Sequence, residues 1–97
     1  MLTFVEDNKD VNIYLDLRKK VNWIELTTKQ AQKALDNSLK IVTVYDDGEP
    51  IGMGRIVGDG AVICYIQDLI IIPEYQGKHI GSMLIEKLIS YVKSITI

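Results

Sequence analysis

The feature that most narrows the fold is a change of apolar period at Pro73. Upstream of it, Asp46-Asp47-Gly48 and Gly58-Asp59-Gly60 divide residues 41–72 into three β-prone runs: Ile41–Tyr45, Ile51–Val57 and Ala61–Ile72. Asp-Gly accepts the positive φ angles that a tight hairpin needs, so two such turns predict a three-stranded antiparallel meander. In the second run Ile51, Met53, Arg55 and Val57 share one face, and Gly52 and Gly54 the other. Downstream the period becomes helical. Ile80, Leu84, Ile85, Leu88, Ile89, Tyr91, Val92 and Ile95 spread over about half a helical circumference, wider than the ~100° stripe of a simple surface helix. Ser82, Glu86, Ser90 and Lys93 fill the other half, and the apolar half expects cover from two directions. Ser94-Ile95-Thr96-Ile97 reads at most as the start of a further strand.

Ahead of the meander, Leu2–Val5 suits a short edge strand. Ile13, Tyr14, Leu17, Val21 and Ile24 recur at helical spacing and predict a helix over Val11–Ile24. Thr27 and Gln30 form a capping-box pair, which predicts a second helix running to about Asn37. No repeat or linker interrupts the 97 residues, so residues 1–97 are read as one domain. Eleven basic against 13 acidic residues leave a net charge of −2, the wrong sign for a nucleic-acid binder that neutralises phosphates. The longest apolar run, Ala61–Ile72, is broken by Gln67 and Asp68 and falls short of a membrane span. Acidic residues stand where a signal peptide would be apolar, so the expected location is the cytoplasm. One cysteine and one histidine make neither an internal disulfide nor a metal site. Cys64 is expected to be a small buried hydrophobe, and Trp23, Tyr65 and Tyr75 core packing residues.

The segment Gln67–Ser82 carries the chemistry. It passes from an apolar strand through a turn containing Gly77 and Gly81 into a helix start, with Lys78 in the turn. The first N–H groups of a helix lack intrahelical partners and sit at its positive end, and adjacent glycines let an anion come close. Neither the P-loop nor the G-x-G-x-x-G spacing is present. On spacing alone the turn is either an ordinary connection or a phosphate site. Gln67-Asp68 interrupts the apolar strand, and one reading of it is a bulge whose carboxylate faces water.

The run Ile71-Ile72-Pro73-Glu74-Tyr75-Gln76-Gly77-Lys78-His79-Ile80-Gly81 resembles the acetyl-CoA signature of the GNAT family of N-acetyltransferases. Asp47-Gly48-Glu49-Pro50-Ile51-Gly52-Met53-Gly54-Arg55 is similar to that family's second hairpin, and the order of elements matches its first two thirds. The resemblance implies an α+β, acyl-CoA N-acyltransferase-like fold: a mainly antiparallel mixed sheet with helices on both faces, lacking the usual C-terminal strands and helix. It implies that the backbone of Leu69, Ile70 and Ile71 holds the pantetheine arm of acetyl-CoA. The turn amides of Gly77, Lys78, His79, Ile80, Gly81 and Ser82 would hold the pyrophosphate, with Gln76 heading the motif. His79 stands where the family usually has glycine, and it is read as a surface residue rather than a catalytic one. For Gln67-Asp68 the resemblance implies the other reading, a strand that splays from its neighbour with polar groups facing the amine substrate, and Asp68 is the candidate for a catalytic carboxylate.

The implied reaction is direct attack by a primary amine, small or peptidic, on the thioester. A lysine-like amine with pKa about 10.4 costs about 4–5 kcal/mol to deprotonate at neutral pH without help. A strand N–H near Ile70 or Ile71 would serve the oxyanion. In the family a tyrosine after the next strand commonly protonates the leaving thiolate, and Ile97 precedes any such position. The expectation is therefore either an N-acetyltransferase whose site a second subunit completes as a homodimer, or a non-catalytic CoA-binding module, or a truncated relative.

Overall fold

In the hairpin at residues 46–49, Asp47 and Gly48 take φ of 49° and 87°, the positive pair that a two-residue turn between twisted strands needs. It joins strands Lys40–Asp46 and Glu49–Gly58, and residues 1–95 of the computed structural model are described. In chain order the elements are β1 (Leu2–Glu6), α1 (Val11–Lys20), α2 (Thr28–Asp36), β2 (Lys40–Asp46), β3 (Glu49–Gly58), β4 (Cys64–Ile71), a one-turn 3₁₀ helix (Pro73–Tyr75) and α3 (Ile80–Ile95). The strands form one sheet in the order β1-β2-β3-β4, and every pairing among the described residues is antiparallel.

Helices cover both faces of the sheet. Arg55 of β3 reaches the Ala34 carbonyl and Ser38 at the end of α2, which places α1 and α2 on the face of Met53 and Arg55. A Cβ on Gly54 would lie 2.7 Å from Leu88 Cδ1, so α3 rests directly on the opposite face of β3. Leu17 and Leu35 bury on the first side and Leu84 and Leu88 on the second, with Val44, Ile51 and Ile56 in the sheet between them.

Local chemistry sets the element ends. Asp10 caps α1 by accepting from the Asn12 and Ile13 amides. The predicted helix to Ile24 stops at Lys20. Asn22 adopts φ 58°, and the Trp23 and Asn22 amides donate back to the Arg18 and Lys19 carbonyls, a Schellman closure for which asparagine is suited. Trp23 is consequently 39% exposed and Ile24 82%, so the expected packing role of Trp23 is corrected. The Thr27–Gln30 capping box forms as expected. The third strand begins at Cys64 instead of Ala61, because the Asp59 carboxylate accepts the amides of Ala61, Val62 and Ile63 and curls them into a loop. Tyr65 lies on the open edge of the sheet and is 60% exposed, against the packing expectation. Cys64 is half-buried against the core.

Ser94 and Ile95 continue α3 where a strand start was expected; Thr96 and Ile97 lie outside the described residues. Ile80, Leu84 and Leu88 are buried and Tyr91 and Val92 partly so, while Met83 and Ile89 stay exposed. The sheet thus covers one side of the wide apolar arc. No helix among the described residues is long and apolar enough to cross a membrane.

Candidate acetyl-CoA site

The site begins at a bulge. Met53 pairs with Ile70 and Arg55 with Gln67, so the single Gly54 between them faces both Asp68 and Leu69. Asp68 takes φ 52°, an uncommon angle that aspartate tolerates better than most side chains. Its carboxylate does not face water, which corrects one of the two expectations for it. Tyr14 Oη donates to Oδ2 at 2.5 Å, Arg55 Nε donates to Oδ2 at 2.7 Å, and Arg18 Nη1 donates to Oδ1 at 2.9 Å. Asp68, Arg55 and Arg18 are only 10%, 12% and 14% exposed. Arg55 continues to Ala34 O and Ser38, and Arg18 Nη2 to Ile24 O, so one carboxylate ties β4 to α1, β3, the α1–α2 loop and the end of α2. Burial, followed by the hydrogen bond to Asp68, raises the pKa of Tyr14 above that of a free phenol. Gln67, its neighbour, is exposed.

Beyond the bulge come Leu69, Ile70 and Ile71. The close approach of backbones here demands glycine opposite: a Cβ on Gly52 would sit 2.6 Å from Ile70 O. Gln76 folds back so that its Nε2 donates to the Ile71 carbonyl at 2.9 Å, which already occupies that group. Between them the 3₁₀ turn carries Tyr75, whose hydroxyl donates to Asp46 Oδ2 at 2.6 Å. That bond pushes the Tyr75 pKa up to about 12, and it is also the main cause of a lowered pKa at Asp46, ahead of the amino-terminal amine.

Gly77 and His79 both take left-handed angles, φ 79° and 63°, and the chain then enters α3. The first i→i−4 bond of α3 runs from the Met83 amide to His79 O at 3.2 Å, so the helix supplies no acceptor to the amides of Ile80, Gly81 and Ser82. Space is open above them. A Cβ on Gly77 would meet nothing within 4 Å, and one on Gly81 only Ile71 Cγ1 at 3.9 Å. Neither glycine is demanded by packing inside the chain, which fits a turn that keeps room for an external anion. Lys78 is exposed, its Nζ 5.2 Å from the Tyr75 ring centre, and His79 is exposed as expected. Ile80 differs from its neighbours in the turn: its side chain is core, 4% exposed, so only its amide faces the site.

The structure therefore brings the two expected segments, Leu69–Ile71 and Gln76–Ser82, side by side, with Asp68 at the base of the first. Sequence reasoning missed Tyr14, Arg18 and Arg55, having placed Tyr14 on an apolar helix face and Arg55 on an apolar strand face. One signal was present: β3 and β4 are adjacent strands, Arg55 is the one charge within Ile51–Val57 and Asp68 the one charge within Cys64–Ile71, and the two are opposite in sign.

Residues 9–96 match the model of the acetyltransferase (GNAT) family, and the chain belongs to that family. It is 27% identical over 96 residues to an uncharacterized N-acetyltransferase of Pyropia yezoensis, covering 93% of this chain and 55% of that protein. A chloroplastic GCN5-related N-acetyltransferase of Arabidopsis thaliana is 32% identical over 100 residues, covering 82% and 39%. A probable acetyltransferase of unknown function from meticillin-resistant Staphylococcus aureus superposes with a TM-score of 0.92 at 34% identity, over 100% of this chain and 73% of that one. The chain thus shares its fold with 73% of the Staphylococcus aureus protein, and spans about half the length of the algal relative.

Proposed function

We propose that this chain takes part in moving an acetyl group from acetyl-CoA to a primary amine by direct attack. Acetyl-CoA supplies the activated acyl carbon: the amine nitrogen bonds to it, the C–S bond breaks, the nitrogen loses a proton and the thiolate gains one. The backbone of Leu69, Ile70 and Ile71 lies along the pantetheine arm. The amides of Gly77, Lys78, His79, Ile80, Gly81 and Ser82, headed by Gln76, receive the pyrophosphate. The observation that carries this reading is the unpartnered first turn of α3 with open space over Gly77 and Gly81. A ligand present at 100 times its Kd adds about 2.7 kcal/mol to stability, so a thermal-melt series in millimolar acetyl-CoA, backed by calorimetry, tests it. No shift and no heat would sink the proposal.

The acceptor side is completed by a second copy in a cytoplasmic homodimer. Among the described residues β4 is paired on one side only, Tyr65 and Ile66 lie exposed along it, and Met83 and Ile89 are exposed apolar side chains on α3. Such an edge is a template for another chain, and burying the 37–60% of these side chains that is exposed stabilises by about 0.6–1.8 kcal/mol each. Sedimentation at micromolar concentration decides this, a stable monomer being the contrary result.

Two observations favour a second reading, a CoA-binding module without catalysis. Asp68 is committed to two guanidiniums, and Tyr75 is committed to Asp46 with its pKa pushed up to about 12, which makes it a poor proton donor. Release of CoA with a panel of amines separates the two: binding without release selects the module.

A further inference from the structure

Asp68 sits where a catalytic carboxylate would be sought, yet its surroundings assign it another task. Both its oxygens already accept charge-assisted hydrogen bonds, and Oδ2 accepts two. Were it to take a proton from an amine, two guanidiniums that are each more than four-fifths buried would lose the one carboxylate that pairs with them among the described residues. The backbone beneath it is the part that needs help. A non-glycine residue inside a strand at φ 52° is sustained only where surrounding groups over-determine it. The bulge it creates also sets direction. Because side chains alternate along a strand, one inserted residue decides which face Leu69, Ile70 and Ile71 present, and which way their peptide groups point. Ile70 is thereby buried opposite Met53, and Leu69 lies against Gly54 on the α3 side.

We propose that Asp68 is a positioning residue: with Tyr14, Arg18 and Arg55 it clamps the β4 bulge, and so holds the backbone of Leu69–Ile71 in the geometry that receives the acyl donor. Through Arg18 the same clamp reaches the α1–α2 loop. Arg18 Nη2 donates to Ile24 O, its guanidinium lies 5.3 Å from the Trp23 ring centre, and it lines a cleft of about 510 Å³ with Trp23, Ile24 and Leu26. The loop and the acyl-donor strand are therefore held by one carboxylate. The donor-binding part of this inference rests on the acetyltransferase reading; the clamping of the bulge does not.

Asp68→Asn is the informative substitution, because asparagine also tolerates a left-handed angle, so the charge is removed while the backbone remains allowed. Amide hydrogen exchange is measured at Leu69–Ile71 and, as an internal control for global destabilisation, at Val42–Val44. The expected result is exchange at Leu69–Ile71 faster by about tenfold or more than any change in the control, as fits the loss of charge-assisted hydrogen bonds. Coenzyme A affinity measured by calorimetry falls by a similar factor, and the pH profile of kcat keeps its shape. Tyr14→Phe removes one hydrogen bond and leaves both ion pairs, so it serves where the Asn variant does not fold; the same selective loss is expected at several-fold. Unchanged exchange and affinity, with kcat reduced and one limb of its pH profile gone, would overturn the proposal and make Asp68 a base. If the unsubstituted chain binds no coenzyme A, the acetyltransferase reading fails by itself. The exchange comparison still decides the clamp: selective loosening upholds it and uniform or absent loosening refutes it.

Discussion

Gly81 offers a test in which stability and binding move in opposite directions. It lies in the first turn of α3 with an ordinary negative-φ backbone, and an added Cβ would make one contact, with Ile71 Cγ1 at 3.9 Å. Nothing in the chain resists Gly81→Ala. Alanine loses less backbone freedom than glycine in a helix, so the free protein should gain about 0.5–1 kcal/mol. For a domain of this size that is a rise in Tm of about 2–8 °C. If the turn holds a diphosphate against its backbone, the same methyl group stands in the ligand's space. Affinity for coenzyme A by calorimetry should then fall by about tenfold, or about 1.4 kcal/mol, and further for the β-branched Gly81→Val. Lys78→Ala is the comparison: the lysine is exposed, and loss of one screened charge should cost only a few tenths of a kcal/mol. A Gly81→Ala protein that melts higher yet binds coenzyme A as tightly as the parent would show that the glycine is not kept for the ligand. If Lys78→Ala proves the most damaging of the three, the amide cradle is refuted in favour of a charge-based site.

His79→Gly relieves a left-handed non-glycine residue and should raise the melting point by an amount worth about 0.5–1 kcal/mol, with coenzyme A affinity unchanged or improved; a lower melting point would contradict the backbone argument. Gly52→Ala should fail to form the native β3–β4 pairing, because its Cβ would meet the Ile70 carbonyl oxygen at 2.6 Å, and loss of cooperative unfolding by circular dichroism reports it. Asp59 has its pKa lowered by the amides of Ile63, Ala61 and Val62, so its contribution to stability is complete above the ordinary carboxylate value of 3.8 and is lost as pH falls through the lowered folded-state value. Asp59→Ala should therefore melt below the parent at pH 7, with the gap closing in strong acid; a pH-independent gap would show that the carboxylate charge is not what orders residues 59–63.

The meander, its Asp47-Gly48 turn, the capping box at Thr27 and the glycine turn ahead of α3 were legible in the sequence. Each follows from local rules: Asp-Gly accepts positive φ, Thr and Gln satisfy each other's backbone donors three residues apart, and apolar spacing records the period of the element. The resemblance to GNAT enzymes rested on the same contiguous stretch, which is why Leu69–Ile71 and Gln76–Ser82 were named in advance. Local rules also misled. Ile24 keeps helical spacing although Asn22 has already ended α1, and Ala61–Ile63 look strand-like although a carboxylate two residues earlier gathers their amides.

What only the tertiary structure decided is the company of Asp68. Tyr14 and Asp68 lie 54 positions apart, and although helical spacing joins Tyr14 to Arg18, no periodicity links that pair to Arg55 or Asp68. They meet because α1 lies across the face of β3 and β4, and because one extra residue opposite Gly54 turns the carboxylate inward. A charge in a strand advertises itself in the sequence. Whether it faces water, substrate or two arginines depends on which elements pack above it, and that is set by the fold as a whole.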